Sequence, residues 1–241
     1  MILANARARL TAADAALVVE LLAQGDEARR GDFERRMAEE GIDRLLDHPD
    51  LLERMVGYSG LASPSAALFL YVLVRHTLRD VEIDDAGLSD YLASLLYEFG
   101  VRDRAYRIAP HDDASYRYLT DIMIALDRAS GRREFLLRAH LGNYSLWLAG
   151  VFPDYVVARS ARTGGPGFSY YDAMGATGFR LARDHQLAAT LDMEGVYDRA
   201  AGLFPKLRVA LNRLSDRFMF PGAASTDRLL RQVAEEFNLL G

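Results

Sequence analysis

The residues best suited to chemistry in this sequence are four polar and aromatic side chains within residues 132–150. These are His140, Asn143, Tyr144 and Trp147. At the helical period of about 3.6 residues they share one wedge of a helix, and Arg133 lies on the same side one to two turns earlier. An imidazole, an amide, a phenol and the chain's only indole could together hydrogen-bond to a small planar ligand and stack on it.

The wedge has two interpretations. In the first it is a partly polar helix–helix interface, in which tyrosine and tryptophan bury their rings and satisfy their polar tips. This interpretation is favoured, because the sequence does not show the other walls that a pocket requires. In the second it lines a pocket, and His140 is then the candidate general acid or base, because the ordinary pKa of imidazole lies near neutrality.

A glycine-rich loop is the second candidate for a binding site. It contains Gly164, Gly165 and Gly167, with Arg159 and Arg162 before it and Tyr170 and Tyr171 after it. Free backbone N–H groups where a helix begins, beside arginines, could hold a carboxylate or phosphate. The loop matches no phosphate-binding fingerprint. The alternative is a flexible surface loop, with the two tyrosines used for packing.

Several other classes of chemistry lack the residues that they need. There is no cysteine, which excludes disulfides, thiolate metal sites and cysteine nucleophiles. The five histidines are widely separated and form no metal-binding pair, so neither a metal nor another cofactor is predicted. A net charge of −5 argues against a nucleic-acid binder. No catalytic motif is present, so the sequence leans towards a protein that is not an enzyme.

The elements that position these residues are predicted to be helices throughout. Thr11 caps a first helix, Asp32 caps a second that ends at Glu40, and Ser63-Pro64 opens an apolar helix that runs to about Arg79. A further helix is expected over residues 115–130. No stretch has the alternation of a strand. We therefore predict an all-α fold, an irregular bundle of about nine to eleven helices without a sheet.

We expect residues 1–241 to form a single all-helical domain, with a two-lobe division near residues 101–114, where Pro110 and a run of charges interrupt the helical pattern. Residues 55–74 carry no charge. Because only Ala66 to Val74 are strongly apolar, this stretch is too short to span a bilayer. A membrane location is therefore not expected, and a cytoplasmic one is.

Small residues on one helix face suggest how the protein acts. Gly175, Gly178 and Ala182 share a face, and interior glycines destabilise a helix, so another helix or a second subunit is expected to approach closely there. The sequence does not determine the function. The leading hypothesis is a non-catalytic, self-associating protein that contacts copies of itself or another protein. The alternative is a small-molecule-binding protein or enzyme whose pocket combines the wedge with the loop at residues 163–171.

Overall fold

A computed structural model of the chain describes residues 1–60, 63–101, 103–222, 228 and 231–232. These residues form thirteen α-helices and no strand, and 72% of the structure is helical. The predicted all-α multi-helix bundle is therefore confirmed. None of the described helices combines the length and the apolar character that a membrane span requires. The chain divides into two compact units between residues 97 and 98, and Met1 belongs to the second unit.

The N-terminal unit, residues 2–97, contains the first five helices and most of the sixth. They are α1 (Ala12–Ala23), α2 (Glu27–Glu40), α3 (Asp43–Leu46), α4 (Leu51–Gly57), α5 (Ala66–Arg79) and α6 (Ala86–Phe99). The apolar helix α5 is buried for most of its length. It also buries Arg75, whose guanidinium donates two hydrogen bonds of 2.8 Å to the Asp47 carboxylate. Pairing offsets the cost of removing this cation from water.

The beginnings of the first two helices show how capping works in this chain. Thr11 caps α1 as predicted: its hydroxyl accepts from the Asp14 amide at 3.2 Å, and the Asp14 carboxylate accepts from the Thr11 amide at 2.9 Å. The prediction that Asp32 caps the second helix is wrong. Asp26 caps α2 instead, because its carboxylate directly follows the turn at Gly25 and accepts from the first free amides of the helix.

The C-terminal unit contains the other seven helices. They are α7 (Leu119–Leu126), α8 (Gly131–Val151), α9 (Pro153–Thr163), α10 (Phe168–Arg183), α11 (Gln186–Thr190), α12 (Glu194–Gly202) and α13 (Phe204–Leu214). Helix α8 is packed by α7, α9, α10 and α13, and thirteen of its 21 residues are buried. Lys206, the only lysine of the chain, is exposed in the first turn of α13.

Helices α8 and α10 approach each other so closely that their backbones touch. A Cβ atom at Gly178 would lie 2.5 Å from the Gly142 backbone nitrogen and 3.0 Å from the Arg138 carbonyl oxygen. One at Gly175 would overlap the Phe204 ring. The small-residue face of α10 is therefore covered within the unit, by α8 and by the first residue of α13.

Helix α7 is shorter than the predicted helix over residues 115–130. The Tyr116 amide donates to the Tyr106 carbonyl at 2.7 Å, which holds this part of the chain outside a helix. The amides of Arg117 and Tyr118 both donate to the Asp121 carboxylate, at 3.2 and 3.1 Å. Asp121 thus caps the helix from inside its first turn and leaves Arg117 and Tyr118 before it.

A buried ion cluster holds the beginning of α9. Arg228 and Arg231 are 7% and 6% exposed. Arg228 contacts Asp154 at 2.7 Å, and Arg231 contacts Asp216 at 2.8 Å and Asp154 at 3.3 Å. Because both arginines share Asp154, the second residue of α9, this cluster fixes the end of the helix that carries Tyr155 and Arg159.

We expect Gly178→Ala to lower the free energy of unfolding of the C-terminal unit by about 1–3 kcal/mol, because the new methyl group meets backbone atoms that cannot move aside. The matched control is Gly31→Ala in the middle of α2, where a Cβ atom would meet nothing within 4 Å. This control is expected to raise stability by about 0.5–1 kcal/mol. Urea unfolding followed by circular dichroism measures both, and a Gly178→Ala protein as stable as the parent would contradict the close packing.

Candidate ligand-binding cleft

The C-terminal unit contains a cleft of about 480 Å³ that opens to solvent, which we call the aromatic cleft. Helices α8 and α9, six described residues from Phe99 to Tyr106, and the pair Arg117 and Tyr118 form its walls. Seven of its fourteen lining residues are aromatic, against 10% of the whole chain: Phe99, Tyr106, Tyr118, Tyr144, Trp147, Phe152 and Tyr155. This enrichment makes the cleft the best candidate for a functional site.

The floor of the aromatic cleft is built on Trp147 of α8. Its ring stands edge-to-face against Phe99, with centroids 5.7 Å apart and planes at 89°. It stands similarly against Phe152, at 5.4 Å and 76°. Edge-to-face pairs are a favoured arrangement of aromatic rings, because the positive ring edge meets the negative ring face. The three rings therefore hold one another in place before any ligand arrives.

Tyr144 forms the neighbouring part of the floor. It is 2% exposed, and its hydroxyl donates a hydrogen bond of 2.8 Å to the Arg117 carbonyl oxygen. Burial raises the pKa of Tyr144 well above the ordinary value for a phenol, so the side chain stays neutral. This hydrogen bond ties the chain before α7 to the middle of α8, and it places Arg117 at the cleft.

Two arginines at the aromatic cleft are held by rings. The Arg117 guanidinium lies over the Tyr106 ring, 5.0 Å from its centroid. The Arg159 guanidinium lies over the Tyr118 ring at 5.5 Å. Within the part of the chain that the structure describes, neither guanidinium forms an ion pair with a carboxylate. With the exposed Asp103, the charged side chains among the described lining residues sum to +1.

The predicted wedge is divided by the structure. Tyr144 and Trp147 line the aromatic cleft, whereas His140 and Asn143 do not. Asn143 is 4% exposed and lies in the helix packing. Arg133 also lies outside the cleft lining. Its guanidinium donates a hydrogen bond of 2.7 Å to the Tyr116 hydroxyl.

His140 lies behind the floor, enclosed by rings. The ring centroids of Phe99 and Tyr144 are both 5.8 Å away, and that of Tyr116 is 6.1 Å away. Burial, helped by the charge of Arg104, lowers the pKa of His140 to about 3. The imidazole is therefore neutral at neutral pH, and no described residue hydrogen-bonds to its Nε2. The acidic imidazolium form is therefore absent at neutral pH, and His140 does not line the cleft.

The predicted glycine loop contributes to the aromatic cleft indirectly. Arg159 lines the cleft, but the other members of the predicted loop site do not: Arg162, Gly164, Gly165, Gly167, Tyr170 and Tyr171. The two tyrosines pack edge-to-face at 5.7 Å. Gly165 supports the Arg159 side chain, since a Cβ atom there would lie 3.0 Å from the Arg159 Cγ.

Sequence reasoning missed the wall that Tyr106, Arg117 and Tyr118 form. Residue 106 lay in the expected inter-lobe segment and the other two in an expected helix. One local signal pointed to them. Tyr106, Tyr116 and Tyr118 are close together in the sequence, and Arg117 lies between the last two. Binding residues lie disproportionately on loops, which is where the structure places these residues.

No arrangement of three or more histidine, aspartate or glutamate side chains suited to a metal ion occurs among the described residues. Comparison of the chain with known protein families, with curated proteins and with solved structures gave no match. The chemistry of the chain must therefore be inferred from the geometry of the aromatic cleft.

The burial of His140 predicts a loss of stability in acid. The unfolded chain binds a proton near the ordinary pKa of 6.5, whereas the folded chain does so only near 3. Protons therefore favour unfolding as the pH falls from 6.5 towards 3, and the full stability is present above 6.5. Between about pH 7.5 and pH 5, we expect the free energy of unfolding of the His140→Phe variant to fall less than that of the parent protein. The difference between the two falls is expected to be roughly 1–2 kcal/mol. Urea unfolding at both pH values tests this, and parallel losses would contradict it.

Proposed function

We propose that this protein binds a small molecule with a flat, ring-containing body in the aromatic cleft. The observation that carries the proposal is that half of the lining residues are aromatic and that two of them, Phe99 and Phe152, pack edge-to-face against Trp147. A volume of about 480 Å³ lies within the usual range for ligand sites, roughly 300–1,000 Å³. A flat ring would extend the aromatic packing that the walls already contain.

Exposed apolar side chains at the aromatic cleft support the same proposal. Among the described residues, eight large apolar or aromatic side chains are exposed, and three of them line this one cleft. These are Val101, Tyr118 and Tyr155, at 59%, 54% and 49% exposure. Apolar surface in contact with water is unfavourable, and its concentration at one place is typical of a binding site. A bound ligand would cover this surface.

Self-association is the leading hypothesis from the sequence, and it rests in part on small-residue helix faces such as that of α10, together with the absence of catalytic spacing. Gly178 meets Gly142, and Gly175 meets Phe204, within the same unit. The glycines are thus accounted for by internal packing, so we prefer ligand binding. The proposal assigns no catalytic residue. The cytoplasmic location predicted from the sequence remains an expectation.

The only tryptophan gives a direct test. Its indole N–H produces one side-chain cross-peak in a ¹H–¹⁵N NMR spectrum, and Trp147 lines the cleft. We expect 2-naphthoate to shift that peak saturably. Decahydro-2-naphthoate, which has the same charge but a saturated body, is expected to bind about threefold to tenfold more weakly, because ring–ring contacts are lost. Equal binding of the two compounds would contradict a site for flat rings.

A pair of variants locates the binding. Tyr155→Ala removes an exposed ring that lines the cleft, and we expect it to weaken 2-naphthoate binding by about threefold to tenfold. Tyr170→Ala is the matched control, because Tyr170 lies outside the cleft lining, and it is expected to bind as the parent does. If both variants bind 2-naphthoate as tightly as the parent, the ligand lies elsewhere.

A further inference from the structure

We infer that the ligand of the aromatic cleft is an aromatic carboxylate, a flat ring body with one negative charge that Arg117 and Arg159 bind. This inference rests on the proposed function and adds to it the charge and chemical class of the ligand. Three features support it: the way in which the two arginines are held, the net charge at the cleft, and the support behind Arg159.

The two cleft arginines differ from the buried arginines of the same unit. Arg208 and Arg231 are held by the carboxylates of Asp172 and Asp216, at 2.9 and 2.8 Å. In contrast, Arg117 and Arg159 rest on tyrosine rings, and within the described part of the chain they have no carboxylate partner. The chain supplies carboxylate partners to these buried guanidinium groups, whereas no described carboxylate pairs with the two cleft arginines.

A ring partner leaves a guanidinium ready to bind a carboxylate. A ring face attracts the positive charge of a guanidinium, whereas a carboxylate accepts hydrogen bonds from its N–H donors. A carboxylate can accept two parallel hydrogen bonds from one guanidinium. The tyrosines therefore position both arginines: Arg159 Nη1 donates to the Tyr155 hydroxyl at 3.5 Å, and its other N–H groups are the donors for a ligand.

The charge at the aromatic cleft favours a monoanion. Among the lining residues that the structure describes, the charged ones are Asp103, Arg117 and Arg159, with a sum of +1. A single carboxylate balances this charge. A dianion such as an aryl phosphate carries one negative charge more than the described lining balances, which disfavours it relative to a monoanion.

Gly165 supports the position of Arg159 from the loop that comes after α9 (Pro153–Thr163). A methyl group at residue 165 would lie 3.0 Å from the Arg159 Cγ and 3.4 Å from its Nε. Because the Arg159 side chain is flexible, it would move aside rather than unfold the helix. Gly165 is thus a positioning residue, and its effect should depend on the charge of the ligand.

Three naphthalene compounds of similar size test the inference by calorimetry. We expect 2-naphthoate to bind at least about tenfold more tightly than the neutral 2-naphthamide, because hydrogen bonds to a charged group are lost with the amide. We expect 2-naphthyl phosphate to bind no more tightly than 2-naphthoate.

Variants of the two arginines test the same point. Arg117→Gln and Arg159→Gln should each weaken the binding of 2-naphthoate severalfold while leaving the binding of 2-naphthamide unchanged. Arg162→Gln, which removes an exposed arginine of the same helix as Arg159 but outside the lining, should have no effect.

The outcomes separate this inference from the proposed function. Equal affinity for the acid and the amide overturns the charge assignment but leaves a site for flat rings intact. Tighter binding of the phosphate overturns the carboxylate assignment in favour of a dianion. If none of the three compounds shifts the Trp147 indole peak, both the inference and the proposed function fail.

A loop substitution gives an independent measurement. We expect Gly165→Ala to weaken 2-naphthoate about threefold to tenfold, because Arg159 is displaced, and to leave 2-naphthamide unchanged. Gly167→Ala is the matched control in the same loop, where a Cβ atom would come no closer than 4.0 Å to Ser160. If Gly165→Ala affected both compounds equally, the loop would have a general structural role and no link to the charge of the ligand.

Discussion

The contact between the backbones of α8 and α10 fixes the position of the helix on which the aromatic cleft is built. Two helices can approach this closely only where both lack a Cβ atom, as at Gly142 and Gly178, and the Phe179 ring then fills the space beside Gly142. Tyr144 and Trp147 come after Gly142 within the next two turns of α8. Their positions, and through the Tyr144 hydroxyl that of Arg117, depend on a contact on another face of the helix.

The helices could be predicted from the sequence because their signals are local. Thr11 with Asp14, the apolar run of α5 and the glycines after α9 each act within a few residues of their own position. The cap of α2 was misplaced because Asp26 and Asp32 are both acceptable acceptors in sequence terms. The turn at Gly25, which selects Asp26, is the feature that decides between them.

Only part of the site could be predicted, since periodicity places residues on a face but does not say what covers that face. His140 and Trp147 belong to one wedge, yet Tyr116 and Phe99 enclose His140, whereas Trp147 reaches the cleft. The difference arises from the irregular chain before α7, whose course is set by the distant contacts of Tyr116 with Tyr106 and of Tyr144 with Arg117. Contacts of this kind leave no repeating pattern in a sequence.

The single lysine on α13 makes the protein a convenient reagent. Amine-reactive dyes and activated surfaces acylate amines and leave guanidinium groups unmodified, so Lys206 is the only side chain through which such a reagent attaches, alongside the α-amino group of the chain. This residue is exposed and is not part of the cleft lining. Molecules attached to a biosensor chip through Lys206 would therefore share one orientation, with the guanidinium groups of Arg117 and Arg159 left unmodified.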